Sequence, residues 1–188
     1  DPALYPAEPE KRPSSPKLIR YIGNFYGKRT VKPLLRALPL LSQRARDNLH
    51  FEIVGANIKT KMIIKSANLP EGLVSVTGPV NYQESLRLMV ESDAVMMIDA
   101  PYKKDNILFP CKLADYIGAN RLILGICSMG PTQRILDSLG YESYRHDQAE
   151  DIAKALETIS QGRYGHKEGL TDEQRRPYLE TENSKKFI

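Results

Sequence analysis

The sequence predicts an α/β fold in which a doubly wound parallel sheet of about six strands carries helices on both faces. Short apolar segments of strand length alternate along the chain with segments whose apolar residues recur at helical spacing. The strand segments are apolar throughout, which is typical of strands that are buried on both faces. Most connections also have the length of a right-handed βαβ crossover. A chain of 188 residues fits one domain of this kind.

The predicted elements alternate from strand to helix along most of the chain. Strands are predicted at residues 18–23, 50–55, 73–78, 94–99 and 121–126, and helices at residues 31–41, 58–68, 82–93, 111–119, 131–139 and 148–160. Pro39 should kink the first helix or end it early, because proline lacks the amide hydrogen that a helix interior needs. Asn81 is predicted to cap the third helix, and Pro131 fits the first turn of the fifth.

The chain divides into three parts by composition. Residues 1–16 contain five prolines and little apolar character, which predicts an extended linker. Residues 17–165 form the predicted Rossmann-like, nucleotide-sugar-binding domain, and residues 166–188 a polar tail or surface helix. Because the chain starts without methionine and with this linker, we expect it to be part of a longer protein.

Composition and charge exclude several function classes. The sequence is 41 % hydrophobic and 27 % charged with a net charge of +4, which is ordinary for a globular domain. It has no array of basic and aromatic residues, so we expect no nucleic-acid partner. It also has no uncharged apolar run of 18 residues that could span a membrane. Cys111 and Cys127 form no metal-binding pair and are expected to be reduced core thiols of a cytoplasmic protein.

The glycine-rich loop after the first strand is a candidate phosphate site. In open parallel sheets the ligand lies beyond the carboxyl ends of the strands. The segment GNFYGKRT, residues 23–30, follows such an end and carries Lys28 and Arg29 just before a helix. Backbone amides and two cations would favour a phosphate there, although an ordinary solvated turn is an alternative. The spacing of Gly23 and Gly27 is neither that of a Walker loop nor that of GxGxxG.

A second candidate is the long loop APYKKDNILFP, residues 100–110, together with the helix that follows it. Long loops are more often functional than idle, but the charged residues here, including Asp105, could equally be solvated. A helix that begins near Pro110 leaves the backbone N–H groups of its first turn free for a ligand. Asp115 lies one turn inside, where it could accept hydrogen bonds from a pair of hydroxyls or simply complement the helix dipole.

Five segments, in their order and spacing, resemble one enzyme family. They are GNFYGKRTVKPLLRAL, FEIVG, VSVTGPVNYQESLRLM, SDAVMMIDAP and FPCKLADYIGANRLIL. Together they are similar to the C-terminal, donor-binding half of nucleotide-sugar glycosyltransferases with the GT-B fold, in particular the large retaining family. The resemblance covers residues 17–160, with Asn120 and Leu122 in place of a glycine and a proline of the family.

The resemblance implies a site for the diphosphate of the donor. The implied diphosphate-binding residues are Gly23, Asn24, Lys28, Arg29, Cys111 and Lys112. Gly23 would let the backbone approach the diphosphate, and Arg29 would be its main cation and a catalytic residue. Asn24 stands where the family usually has an arginine. The backbone at the start of the last matching helix would hold phosphate or sugar.

The resemblance also implies where the rest of the nucleotide binds. Asp115 occupies the position of a glutamate that binds the ribose hydroxyls in the family. The loop of Gly78, Pro79 and Val80 would flank the nucleobase. Asp105 is the carboxylate nearest to the position of another glutamate of the family, which falls near residue 107, and is the second predicted catalytic residue.

The implied function is the donor-binding half of a glycosyltransferase that moves a sugar from a nucleoside-diphosphate sugar to a saccharide or glycolipid, as in polysaccharide biosynthesis. No DxD-type carboxylate pair is present to hold magnesium, so we expect metal-independent transfer and no cofactor besides the donor substrate. The acceptor would bind to an N-terminal domain outside this chain, which alone should transfer sugar poorly or not at all. The resemblance also allows peripheral association with the inner face of a membrane.

Other classes share this alternation of strands and helices. A receiver-like module would need an acidic cluster at its strand ends, whereas the first strand here ends in Gly-Asn. A dinucleotide oxidoreductase would need GxGxxG and an acidic residue after the second strand, where this chain has EIVGANIK. A non-catalytic Rossmann-like nucleotide-binding or interaction domain is the main alternative. His50, His146 and His166 are expected to have structural or solvent roles.

Overall fold

The computed structural model describes residues 4–6, 16–102, 110–163 and 169–178. Its strands are β1 (Lys17–Ile22), β2 (Leu49–Val54), β3 (Val74–Thr77), β4 (Ala94–Ile98), β5 (Leu122–Ile126) and β6 (Ser143–Tyr144). They form one parallel sheet in the order β3-β2-β1-β4-β5-β6. The strand order reverses between β1 and β4, so the sheet is doubly wound and the predicted fold class is confirmed.

Helices connect the strands. They are α1 (Lys32–Ala37), α2 (Gln43–Asp47), α3 (Ile58–Ser66), α4 (Tyr82–Val90), α5 (Lys112–Gly118), α6 (Pro131–Ser138), α7 (Ala149–Ser160) and α8 (Asp172–Arg175). Pro39 ends the first helix early, as predicted, because α1 tightens into a 3₁₀ turn at Leu38–Leu40. The sequence analysis missed α2, whose N-cap Ser42 accepts a hydrogen bond from the Ala45 amide at 3.2 Å. Asn81 caps α4 and Pro131 opens α6, as predicted.

Two apolar layers cover the two faces of the sheet. Ile19 and Tyr21 of β1 belong to the layer that also contains side chains of α1, α3 and α7. Ile22 of the same strand belongs to the layer formed with α4, α5 and α6. The side chains of β1 therefore alternate between two covered faces of the sheet, which explains why apolar residues occur on both sides of the strand. No helix in the described ranges is long and apolar enough to cross a membrane.

The two central strands separate near their carboxyl ends. β1 pairs with β4 through Ile19 and Arg20, which lie opposite Ala94 and Val95. Beyond them, the Ile22 amide donates to the hydroxyl of fully buried Tyr116 at 3.1 Å, and that hydroxyl lies 3.4 Å from the Ile22 carbonyl oxygen. The side chain of Tyr116 therefore contacts the β1 backbone where the pairing with β4 ends.

Part of the predicted linker packs on the domain. The Tyr5 hydroxyl donates to the carbonyl oxygen of Asp115 in α5 at 3.2 Å. A Cβ at Gly118 would lie only 2.1 Å from that hydroxyl oxygen, so the missing side chain of Gly118 makes room for Tyr5. Residues 7–15, 164–168 and 179–188 lie outside the described residues, and the boundaries of the three parts of the chain stay predictions.

A polar network joins β1, β2 and β3 beneath α4. Arg20 Nε donates to Glu52 Oε2 at 2.6 Å, and Arg20 Nη1 donates to the Leu88 carbonyl at 2.9 Å. Thr77 Oγ1 donates to Glu52 Oε1 at 2.6 Å. Burial alone would raise the pKa of Glu52, but the hydrogen bonds from Thr77 and Arg20 outweigh burial and hold that pKa below its usual range.

We expect Glu52→Gln to lower the free energy of unfolding at neutral pH by about 1.5–3 kcal/mol, because Arg20 loses a charged partner. A depressed carboxylate pKa stabilises the fold above the unfolded-state pKa of about 4 and loses that effect as pH falls through the folded-state value. The difference between wild type and variant should therefore shrink in acid, as measured by urea unfolding at several pH values. Exposed Glu71→Gln is the control, and a difference that stays constant with pH would contradict the prediction.

Candidate functional site

A cleft of about 340 Å³ lies beyond the carboxyl ends of β1, β2 and β3, against α4 and α5. It is lined by Ile22, Asn24, Gly55, Pro79, Val80, Tyr82, Ser85, Met89, Lys112 and Asp115. Its volume is that of a small-molecule pocket, and its place next to the reversal of strand order is where such sheets bind ligands. The structure thus brings together five of the predicted site residues, which come from two separate loops and one helix: Asn24, Pro79, Val80, Lys112 and Asp115.

Gly23 and Lys112 meet at the end of β1. The backbone of Gly23 has a φ of +138°, and a Cβ there would lie 1.5 Å from Lys112 Nζ. Glycine is therefore required for the ammonium group to reach over the strand end. Gly55 follows β2 with a φ of +82° and packs against the Gly23 backbone, since a Cβ at Gly55 would lie 3.3 Å from the Gly23 carbonyl carbon. Two glycines thus leave the backbone at the base of the site open.

The ammonium group of Lys112 is partly withdrawn from water. Burial and the charge of Arg29 lower the pKa of Lys112, and Asp115 opposes both effects, so that the resulting pKa is about 8. The ammonium nitrogen also lies 5.4 Å from the ring centroid of Tyr21. A partly dehydrated cation beside a second cation is a position that favours an anionic ligand.

Arg29 is held beside this position by a buried carboxylate. Its Nη2 lies 3.4 Å from Oδ1 of Asp99, and its Nη1 donates to the Tyr26 hydroxyl at 2.9 Å. Asp99 is only 1 % exposed, and it also accepts hydrogen bonds from the Ala100 amide and from Thr132 Oγ1. Sequence analysis missed Asp99, although its place directly after the apolar strand β4 is a signal that could have found it.

The two predicted cations of the loop after β1 line a groove next to the cleft. Lys28 and Arg29 line a neighbouring groove of about 460 Å³, which shares Asn24 with the cleft. The Asn24 carboxamide oxygen accepts from Asn57 Nδ2 at 2.9 Å, and the same Nδ2 donates to the Phe25 carbonyl at 2.9 Å. Asn24 therefore ties the loop to the start of α3, in addition to facing the cleft.

Asp115 lies one turn inside α5, as predicted, and points into the cleft with Tyr82. The Tyr82 hydroxyl donates to Asp115 Oδ1 at 3.0 Å. Burial raises the pKa of Asp115, while the hydrogen bond from Tyr82 and the charge of Lys112 oppose that rise. Sequence analysis missed Tyr82, which the Asn81 cap places at the first position of α4. The carboxylate is thus oriented and has a second oxygen that can accept from a ligand.

The loop after β3 reaches the cleft through a backbone hydrogen bond. The Gly78 carbonyl accepts from the Gly55 amide at 3.2 Å, which brings Pro79 and Val80 to the cleft. Cys127 is buried as predicted, but the prediction of a core thiol is wrong for Cys111, which is exposed because it is the N-cap residue outside the first turn of α5.

Two of the three histidines have the structural role that the sequence predicts, and the rest of the predicted residues lie outside the described part of the chain. His50 bonds to the Gly72 carbonyl and to Ser75 Oγ, and His146 Nε2 lies 2.8 Å from the Asp99 carbonyl oxygen, so both have structural partners. Residues 103–109, which include the predicted catalytic Asp105, lie outside the described residues, as does His166.

No protein-family model and no curated protein matches the sequence, but solved structures share its fold. The apo lipopolysaccharide outer core galactosyltransferase WaaB superposes with a TM-score of 0.70 at 17 % identity, over 98 % of this chain and 50 % of that chain. The pneumococcal O-GlcNAc transferase GtfA in complex with UDP and GlcNAc has a TM-score of 0.67 at 14 % identity, over 92 % and 35 %. The catalytic domain of the cholesterol-α-glucosyltransferase from Helicobacter pylori has a TM-score of 0.61 at 15 % identity, over 93 % and 100 %.

These likenesses define the fold. The chain spans 50 % of the WaaB chain, so each match to a longer structure concerns one part of it. Identities of 12–17 % among these matching structures are too low to transfer individual residues. The chain shares the fold of one part of GT-B glycosyltransferases, as the resemblance of its sequence predicts.

Proposed function

We propose that the chain is the donor-binding part of a glycosyltransferase that moves a sugar from a nucleoside-diphosphate sugar to a saccharide or glycolipid. The observation that carries this proposal is the placement of Lys112 and Asp115 on one turn of α5 in one cleft. Lys112 lies over the backbone of Gly23, and Asp115 lies beside Tyr82. A cation and an oriented carboxylate at this spacing suit a phosphate and a pair of sugar hydroxyls, respectively.

The charges of the site fit the reaction. When the bond between sugar and diphosphate breaks, negative charge develops on the leaving diphosphate. Lys112 and Arg29 are close enough for the charge of Arg29 to lower the pKa of Lys112, so both act on the same region. Held in place before the ligand arrives, they would stabilise that charge with little reorganisation. Because these cations can do so without a metal ion, we propose metal-independent transfer.

The nucleoside would occupy the rest of the cleft. Asp115 would accept hydrogen bonds from the ribose through the oxygen that Tyr82 does not hold. Pro79 and Val80 form the wall on which the nucleobase would lie. We propose that the acceptor binds to another part of a longer protein. We place this protein at the inner face of a membrane. From the sequence resemblance we propose that the transfer retains the configuration of the sugar.

The direct test is calorimetry of the chain with UDP, GDP, ADP and CMP, with and without magnesium. We expect one nucleoside diphosphate to bind with micromolar affinity, at equal strength with and without the metal. A folded chain that binds none of them would overturn the proposal in favour of a non-catalytic interaction domain. Binding that requires magnesium would overturn only the metal-independent part.

Asp115→Asn should weaken binding of the preferred diphosphate by about 1.5–3 kcal/mol, because the ribose loses a charged acceptor. The comparison with the 2′-deoxy form of the same nucleotide makes this test specific. Wild type should prefer the ribonucleotide, and the variant should have lost most of that preference. Asp137→Asn, an exposed carboxylate of α6, is the control. An undiminished preference in Asp115→Asn would remove the ribose assignment.

Lys112→Met should have opposite effects on binding and on stability. The variant removes a partly dehydrated cation, so its thermal midpoint should rise, whereas its affinity for the diphosphate should fall by about tenfold or more. In wild type, affinity should also fall above about pH 8, where the free protein loses the Lys112 proton, and the variant should lack this dependence. Exposed Lys154→Met is the control for both measurements. Equal pH profiles for wild type and Lys112→Met would contradict the prediction.

Gly23→Ala should weaken diphosphate binding more than it weakens the fold, because the new methyl group displaces the ammonium of Lys112. Gly72→Ala is the matched control, since Gly72 also has a positive φ, of +79°, but a Cβ there meets nothing within 4 Å. Both variants should lose about 1 kcal/mol of stability from backbone strain. Only Gly23→Ala should lose affinity, and similar affinities for the two variants would contradict the assignment.

A further inference from the structure

The outer face of α3 carries two unusually exposed apolar side chains. Ile58 is 78 % exposed and Met62 is 67 % exposed, and they lie one turn apart. The inner side of the same helix is anchored in the domain by buried Thr60 and Ile64. The exposed pair is therefore a fixed feature of a packed helix.

Lysines surround this pair. Lys59 lies on one side of the outer face, and Lys61 and Lys65 lie on the other, all of them exposed. No acidic residue occurs in residues 57–66, and none of these three lysines forms an ion pair within the described part of the chain. We call these five side chains, Ile58, Lys59, Lys61, Met62 and Lys65, the α3 face.

A basic groove adjoins the α3 face. This is the groove of about 460 Å³ between α3 and the loop after β1, and Lys59 belongs to both surfaces. Lys28 and Lys32 line its other side, together with the exposed ring of Tyr26. None of the described residues that line the groove is acidic. The positive charge therefore continues from the helix across the groove.

From this arrangement we infer that the α3 face docks on an anionic phospholipid bilayer. Lysines near such a surface each gain about 1 kcal/mol from its negative potential. Apolar side chains between them can enter the boundary between headgroups and acyl chains, and the groove can take a headgroup phosphate. A protein partner fits less well, because lysine is depleted in the cores of protein interfaces. The inference does not depend on sugar transfer.

The test is co-sedimentation of the whole chain with vesicles. One set contains phosphatidylcholine alone, and the other contains equal parts of phosphatidylcholine and phosphatidylglycerol. We expect binding to the anionic vesicles, weakened by salt, and little binding to the neutral ones. The double variant Lys61→Gln, Lys65→Gln should bind the anionic vesicles at least about tenfold more weakly. The double variant Ile58→Ser, Met62→Ser should lose binding to a similar extent.

Matched controls separate this surface from overall charge and hydrophobicity. Arg145→Gln with Lys154→Gln removes the same charge from other exposed sites, and Leu40→Ser with Met129→Ser removes other exposed apolar side chains. These pairs should bind the vesicles like wild type. All variants should bind the preferred nucleotide like wild type, so a failure of the nucleotide test and a failure of the vesicle test are distinguishable.

Three results would overturn the inference. The first is a wild-type chain that does not bind anionic vesicles. The second is a control double variant that weakens vesicle binding as much as the corresponding α3 double variant. The third is binding that depends on Lys61 and Lys65 but not on Ile58 and Met62. That result would indicate attraction to any polyanion, such as a nucleic acid, and not docking on lipid.

Discussion

The contact between the Tyr116 hydroxyl and the backbone of Ile22 is the interaction on which the site depends. Where β1 leaves β4, a buried amide needs a new partner, and an unsatisfied one would cost about 1–3 kcal/mol. Tyr116 supplies that partner from α5, which packs in the same apolar layer as the Ile22 side chain. The same contact fixes α5 against the strand end. Since Lys112 lies one turn before Tyr116 and Asp115 directly before it, both are positioned by the residue that ends the strand pairing.

The two cations near this point, Arg29 and Lys112, differ in how well a carboxylate compensates their charge. Arg29 has the buried carboxylate of Asp99 beside it, whereas the opposing charge that acts on Lys112, among the described residues, is that of Asp115, which Tyr82 already holds. The lowered pKa of Lys112 shows that the free protein carries the cost of a poorly compensated cation. A bound anion would compensate this charge. The Lys112 ammonium group therefore destabilises the free protein and stabilises the complex with an anionic ligand.

The fold was predictable because its signals are local. Apolar strands, helical spacing, the Pro39 stop and the Asn81 cap all act within a few residues, and the strand ends then indicate where a ligand lies. The missed hydrogen bonds of the site depend on contacts between distant parts of the chain. Tyr116 reads as an ordinary core residue until its contact with Ile22, 94 positions away, is known. Tyr82 and Asp115 are 33 positions apart, and nothing in either segment indicates their hydrogen bond.

Asn57 links the cleft to the α3 face. Its side-chain oxygen caps α3 by accepting from the Thr60 amide, and its nitrogen holds Asn24 and Phe25 of the loop that leads to Lys28 and Arg29. The helix inferred to meet the membrane and the loop proposed to meet the donor are therefore one connected unit. A glycolipid acceptor has its lipid in the bilayer and its sugar in water. A domain that docks through α3 and binds its donor at the adjoining strand ends keeps both substrates at the same edge, which shortens the distance that the acceptor sugar must bridge.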